Sequence, residues 1–361
     1  MQFSFQPVDV ALKEPFHIAT GTVTTARNVL ATVAQDNLDG VGEATPFEVV
    51  TGGTQQSVLT QLASLPKNFE FSAKTSIADT LAKLGVDTLG PDARHAVDVA
   101  LHDWAASSKR VPLATFLGGA PRPLPSSITI PIVPLADVPR IVNAGLAAGF
   151  TIFKIKSKSG VETETERVKI VRDLVGKSAE LRLDANAGWS LQEAKQMLPV
   201  LRKYDVKFLE QPLKRDDLAG HAALVEEKSV PIMLDESIFT LADAQKVHKA
   251  KAADLFNVKL AKSGGISEAS RIFNFAADQG VDCMIGCMIQ TRVAISADAH
   301  VAAGFKAIKW VDLDGHTFLK SDPIEGGVHF QKGKIVFPDT FGHGARWKTT
   351  PATLVGQRTA A

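Results

Sequence analysis

The sequence predicts an α/β fold, a closed parallel (β/α)7β barrel behind a smaller α+β domain, and three observations predict it. From about Ser126 onward, short apolar runs alternate with amphipathic segments. Before that point strand-like runs come first and helical runs follow, without alternation. The chain has 361 residues, enough for a barrel of roughly 250 residues and a second domain.

The first 50 residues read as strands. Met1 to Phe16 alternates apolar and polar, Thr22 to Gln35 is rich in Thr and Val, and Asp39-Gly40 is a turn signal before a short strand at Val41 to Ala44. Helical spacing follows over Gln55–Leu65, Ser76–Leu84 and Asp92–Ser107. In the last of these Ala96, Val97, Ala100, Leu101 and Trp104 form one apolar face. This succession indicates an α+β domain over residues 1–120.

The runs of the second part are Ile128–Val133, Thr151–Lys156, Glu180–Asp184, Val206–Glu210, Pro231–Asp235, Asp254–Lys259, Asp282–Gly286 and Ala307–Asp312. Helical patterns such as Thr163–Leu174, Leu191–Leu201 and Ile266–Ala277 lie between them. Regular alternation implies a parallel sheet, and eight strands with an incomplete last repeat fit a TIM-like barrel over residues 121–320. A doubly wound open sheet shares the alternation, but no glycine-rich dinucleotide fingerprint follows an early strand. Residues 321–361, with strand-like Gly327–Gln331 and Lys334–Phe337, are expected to return to the N-terminal domain.

Composition narrows the partners. A formal net charge of +1 gives no field to attract nucleic acid or a membrane surface. The N-terminus lacks the basic start and apolar run of a signal peptide, and no stretch approaches the roughly 20 apolar residues of a membrane span. A cytoplasmic enzyme of small molecules is expected, with a homo-oligomer compatible. The two cysteines, Cys283 and Cys287, fall on one strand too far apart to bond comfortably and read as buried free thiols.

In a parallel barrel, functional groups sit where strands end. The third, fourth and fifth strands end at Asp184, Glu210 and Asp235, each about one βα unit from the next. One acid at a strand end is ordinary. Three on adjacent strands gather like charge at one rim, which is stable only with a cation, and oxygen donors favour Mg²⁺. The second strand ends Phe153-Lys154-Ile155-Lys156, so period two turns both lysines to the barrel axis. The sixth ends at Lys259, across an eight-stranded barrel from the second.

That arrangement suits removal of a proton next to a carboxylate. The product enediolate is dianionic and needs a metal ion to stabilise it, and a lysine with nearby cations can serve as base. A lysine on each face would remove the proton from one side and return one from the other, inverting the stereocentre.

Lys154-Ile155-Lys156, Asp184-Ala185-Asn186, Glu210-Gln211-Pro212, Asp235-Glu236-Ser237 and the run from Lys259 to Ile266 together resemble the muconate-lactonizing subgroup of the enolase superfamily. Gly42-Glu43-Ala44 looks like the motif of its N-terminal capping domain. The resemblance covers nearly the whole chain. It implies that Asp184, Glu210 and Asp235 hold Mg²⁺, that Lys156 and Lys259 are the acid/base pair, and that Lys154 helps bind the substrate carboxylate.

The eighth strand adds Asp312-Leu313-Asp314-Gly315, which is similar to the pair that captures the free amino terminus in the dipeptide epimerases. A turn is the competing account of Asp-Gly. The implied substrate is a dipeptide of the L-Ala-L-Xaa type, with Thr129 and Gly21 also in the substrate-binding set. Gly21 stands where Ala-Glu epimerases carry an arginine for the glutamate side chain, with His17 and Arg27 as the basic residues that could compensate. Gln290 replaces a glutamate common among relatives and is expected to alter the charge around Lys259. N-acyl amino acid racemase, o-succinylbenzoate synthase and muconate cycloisomerase share the metal and lysines but have no ammonium to anchor. A non-catalytic binding barrel would be expected to have lost a ligand or a lysine, and none is missing.

Overall fold

The computed structural model describes residues 1–348 except 20, 73, 74 and 159. The chain opens with a three-stranded antiparallel sheet, Gln2–Ile18, Gly21–Gln35 and Leu38–Ala44, in that order. Its second turn falls at Asp36-Asn37, not at the expected Asp39-Gly40. Asp36 and Asn37 both take positive φ, 55° and 58°, the geometry of a tight hairpin turn. Gly40 lies inside the strand for another reason: a Cβ there would overlap the carbonyl of Ala100 on the helix beneath. That helix, Pro91–Ser108, starts with Pro at its first position and packs its apolar face on the sheet.

Eight parallel strands follow: Ile128–Ile130, Ile152–Lys156, Glu180–Asp184, Val206–Glu210, Ile232–Leu234, Leu255–Val258, Asp282–Gly286 and Ile308–Asp312. They pair in sequence order, and the Ser127 N–H donates to Val311 O (3.3 Å), bringing the first strand to the last. Helices between them, among them Val161–Val175, Leu191–Lys203 and Ile266–Gln279, bury an apolar face against the strands. Ser190 with Glu193, and Thr240 with Asp243, form capping boxes that set where two of these helices begin.

Period two sorts each strand's residues. Phe153, Ile155, Leu181 and Leu183 face the helices and are fully buried. On the inward side Arg182, Phe208, Met233, Met284 and Trp310 make a floor, with the Arg182 guanidinium 5.5 Å from the Phe208 ring and donating to Val311 O at 2.9 Å. Two residues further along, the same strands deliver Asp184, Glu210, Asp235 and Asp312 to the rim. The floor closes one end of the barrel and leaves the other for polar side chains.

The tail strands are Ile324–Gly326, His329–Gln331, Lys334–Val336 and Ala345–Trp347. Of the expected strand Gly327–Gln331 only His329–Gln331 is formed, and the positive φ of Gly326 and Gly327 separates it from Ile324–Gly326. Lys320 N–H bonds Ala11 O, Gly342 N–H bonds Val111 O, and Arg346 pairs with Asp103 at 2.9 Å. Residues 349–361 of the expected C-terminal segment lie outside the described residues. Among the described residues no helix is long and apolar enough to cross a membrane.

Candidate active site

The register places Lys156 beside Asp184 and Asp184 beside Glu210, so neighbouring strands end their charges at one level. Asp184, Glu210 and Asp235 are buried, and one carboxylate oxygen from each lies within 4.8 Å of the others. Burial pushes Glu210 up to about 8, reinforced by Asp184. Asp184 and Asp235 are buried too, but the lysines around them hold both well below the usual carboxylate range. Glu210 Oε2 and Asp235 Oδ1 are met only by ammonium groups, Lys154 at 2.8 Å and Lys262 at 2.5 Å. Three buried acids that converge this closely, with oxygen donors alone, are the donor set of a hard divalent cation, and these residues fit Mg²⁺.

The lysines stand around this cluster. Lys156 Nζ lies 2.7 Å from Asp184 Oδ2, and Lys259 Nζ lies 2.7 Å from Asp235 Oδ2. Burial alone would lower Lys259, but Asp235 carries it above the ordinary lysine range. Lys154, 1 % exposed, contacts Asp184 at 3.0 Å, Glu210 at 2.8 Å and Asp312 at 2.7 Å. It therefore links the acid triad to the eighth strand. Gly286 ends the seventh strand because a Cβ there would come within 2.9 Å of Lys259 Cε and 2.8 Å of Asn257 Oδ1.

Several supporting residues, some of them inside the motifs quoted above, had no role assigned from the sequence. Asn257 donates to Glu210 Oε1 at 2.7 Å. It sits two residues before Lys259, so period two alone would have put it on the inward face. Lys262 reaches Asp235 Oδ1 at 2.5 Å and Ile238 O at 3.0 Å. Burial lowers its pKa. Its approach comes from a helical turn, Leu260–Ser263, that the residue pattern did not suggest. Asn186 donates to Glu236 at 3.1 Å. Burial, with Asp235 beside it, pushes Glu236 up to about 7.

Asp312 ends its strand, and Asp314 lies beyond it at the start of a short 3-10 turn, Gly315–Phe318. Both are buried and line the same cavity. Asp312 accepts from Ser127 Oγ at 2.6 Å, and Asp314 Oδ2 accepts the Thr129 N–H at 2.6 Å. Burial and the neighbouring Asp312 push Asp314 up to about 7, so a cation placed between them would be favoured.

The cavity, about 720 Å³, runs from these groups to the N-terminal sheet and takes in Lys154, Lys156, Asp235, Glu236, Lys259 and Thr129. Its outer wall sets Phe16, Ile18, Val23, Phe47, Ile289 and Phe318 among uncharged polar residues such as Thr22, Thr24 and Thr45. Gly21 is part of it, and a Cβ there would stand 3.8 Å from the Phe47 ring. Arg27 and Glu48 line it at exposed positions. His17 pairs instead with Thr22 at 2.8 Å, and Thr20 lies outside the described residues. Gln290 does not turn to Lys259: its amide accepts from Met288 N–H at 3.1 Å and donates to Asp298 at 2.5 Å. Both cysteines are free, but only Cys283 is buried: Cys287 lies just past its strand, half-buried at the cavity, and its desolvated position pushes the thiol up.

The chain belongs to the mandelate racemase / muconate lactonizing enzyme family: residues 3–118 match its N-terminal domain and residues 138–350 match the enolase C-terminal domain-like fold. It is similar to a hydrophobic dipeptide epimerase of Enterococcus faecalis, 34 % identical over 89 % of this chain and 92 % of that one. It is also 34 % identical to an L-Ala-D/L-Glu epimerase of Bacillus subtilis, over 93 % and 94 % of the two chains. The crystal structure of a dipeptide epimerase from Enterococcus faecalis with Mg and L-Leu-L-Tyr superposes with a TM-score of 0.91 at 32 % identity, covering 95 % of this chain and 98 % of that one.

Proposed function

We propose that the chain is a Mg²⁺-dependent dipeptide epimerase, an isomerase that inverts the α-carbon of the C-terminal residue of a dipeptide such as L-Ala-L-Xaa by a 1,1-proton transfer. One observation carries the reading: a metal-fit acid triad and a separate acid pair share one barrel mouth with lysines from strands four staves apart.

Asp184, Glu210 and Asp235 would hold Mg²⁺, which when bound supplies positive charge to the substrate carboxylate as negative charge develops there. Lys154 adds a fixed cation beside the same acids. Asp312 and Asp314 hold the substrate ammonium. Lys156 and Lys259 reach the mouth from its two sides, so one accepts the α-proton on Nζ and the other, as an ammonium, donates a proton to the opposite face. A free amino acid cannot span both the acid pair and the metal. Ile18 and Phe47 near Gly21 support an apolar second side chain, since the only cation of that wall to meet an acidic one is the exposed Arg27.

The test is a set of L-Ala-L-Xaa dipeptides incubated with the protein and Mg²⁺ in D₂O, read by mass spectrometry and chiral chromatography. One deuterium should enter the C-terminal residue as the D epimer appears, fastest for apolar Xaa, and chelation should stop it. Exchange on N-acyl amino acids with none on dipeptides would overturn the reading, as would exchange on neither.

A further inference from the structure

The loop after the seventh barrel strand forms part of the substrate chamber, to which it contributes Cys287, Met288 and Ile289. Its far end is held from another domain. Glu43, near the end of strand Leu38–Ala44, is fully buried. Its Oε1 accepts the Thr291 N–H at 2.9 Å and the Asn28 amide at 2.7 Å. Its Oε2 accepts the Thr291 hydroxyl at 2.7 Å and the Ala294 N–H at 3.1 Å. Thr291 is the N-cap of helix Arg292–Gly304, whose first N–H groups have no acceptor within the helix and favour a negative charge. Asn28 completes the clamp by donating also to Ile289 O at 3.3 Å. Asn28 O in turn accepts from Gln55 at 2.9 Å. Asn28 and Gln55 line the chamber, whereas Glu43 does not.

One carboxylate from the N-terminal domain thus gathers the loop, the helix that follows it and a chamber residue. Glu43 touches neither the acid triad nor the lysines, so it has no part in proton transfer. We propose that Glu43 is a positioning residue: through Thr291 and Asn28 it holds Met288 and Ile289 against the bound substrate, and so sets substrate affinity. The affinity part of this inference rests on the dipeptide reading of the chamber; the ordering of the loop does not.

Glu43→Gln keeps the size and sets an amide donor against existing donors. In the full-length, Mg²⁺-loaded protein it should raise KM for the dipeptide about tenfold, the effect of weakening charged hydrogen bonds, and leave kcat within about threefold. Amide hydrogen exchange over residues 287–294 should quicken. Combined with Ile289→Ala, the two KM effects should not add, because one acts through the other. Thr291→Val deletes a single donor and should give a smaller shift of the same kind, which decides the matter if Glu43→Gln fails to fold. A merely structural role would lower the melting temperature and the active fraction with KM unmoved. That result, additive KM effects or unchanged exchange over 287–294 would each overturn the inference. If the unaltered protein turns over no dipeptide, the epimerase reading fails by itself, and the exchange measurement still decides the role of Glu43.

Discussion

If the proposed two-lysine transfer operates, replacing Lys156 or Lys259 by alanine leaves a base on one face of the substrate only. Interconversion of epimers should then fall by at least about a hundredfold in either variant, the scale of lost general acid–base catalysis. The surviving lysine can still wash out the α-hydrogen of the one epimer it faces. Lys156→Ala and Lys259→Ala should therefore exchange opposite epimers in D₂O, followed by NMR. If both exchange the same epimer, the lysines do not flank the α-carbon. At this scale the charged strand ends were legible, because an acid or lysine after an apolar run is visible in the letters. Gly286 and Lys262 were not. One matters through the side chain it lacks beside Lys259, the other through a contact with Asp235 made from outside the strand pattern.

Among the elements, helix Pro91–Ser108 carries more than the apolar face seen in its spacing. Asp98, buried on it, accepts the Ser267 N–H at 2.7 Å at the start of helix Ile266–Gln279 and faces His102 at 2.6 Å. His95 lies on the same helix near Asp98, its pKa lowered by burial to about 4, so it adds no charge near neutrality. Burial alone would lower His102, but Asp98 carries it above the ordinary histidine value. The folded state therefore binds the His102 proton more tightly than the unfolded chain does. Its contribution to stability is complete below the unfolded histidine pKa, about 6.5, and is lost as pH rises through the higher folded value. The difference in urea midpoint between the protein and His102→Gln should be largest near pH 6 and shrink on going alkaline. A difference that grows with pH would contradict the pairing. Nothing in the sequence signalled the tie between Asp98 and Ser267, since the two lie far apart in the chain, whereas Asp98 and His102 stand four apart on one helix. The hairpin at Asp36-Asn37 was misplaced for a local reason: Asp39-Gly40 is an equally good turn signal, and only the helix packed on Gly40 assigns that glycine to a strand.

Across the whole molecule, eight strands bring residues from Lys154 to Asp314 into one mouth that the N-terminal sheet covers. The barrel was legible because alternation repeats eight times and six of the strands, the second to the sixth and the eighth, end in a charged residue, so that each repeat supports the others. The junction between domains was not: Gly42-Glu43-Ala44 was legible as a capping-domain motif, but its partner Thr291 lies 248 residues further along the chain. The same long-range closure couples the acid triad to folding. Asp184, Glu210 and Asp235 come from three strands and converge only when the barrel is formed, so a cation that binds them binds the native state and not the unfolded chain. Mg²⁺ at a hundred times its Kd should stabilise the protein by about 2.7 kcal/mol. Glu210 is the sharpest probe, because burial and Asp184 push its carboxyl up and a divalent ion beside it removes that cost. In thermal unfolding the melting temperature should rise with Mg²⁺ concentration and return on chelation. Glu210→Gln should fold at least as well as the unaltered protein without Mg²⁺ and lose most of the Mg²⁺-dependent rise. An undiminished rise in that variant would mean that the ion binds elsewhere, and the three acids would then need another explanation.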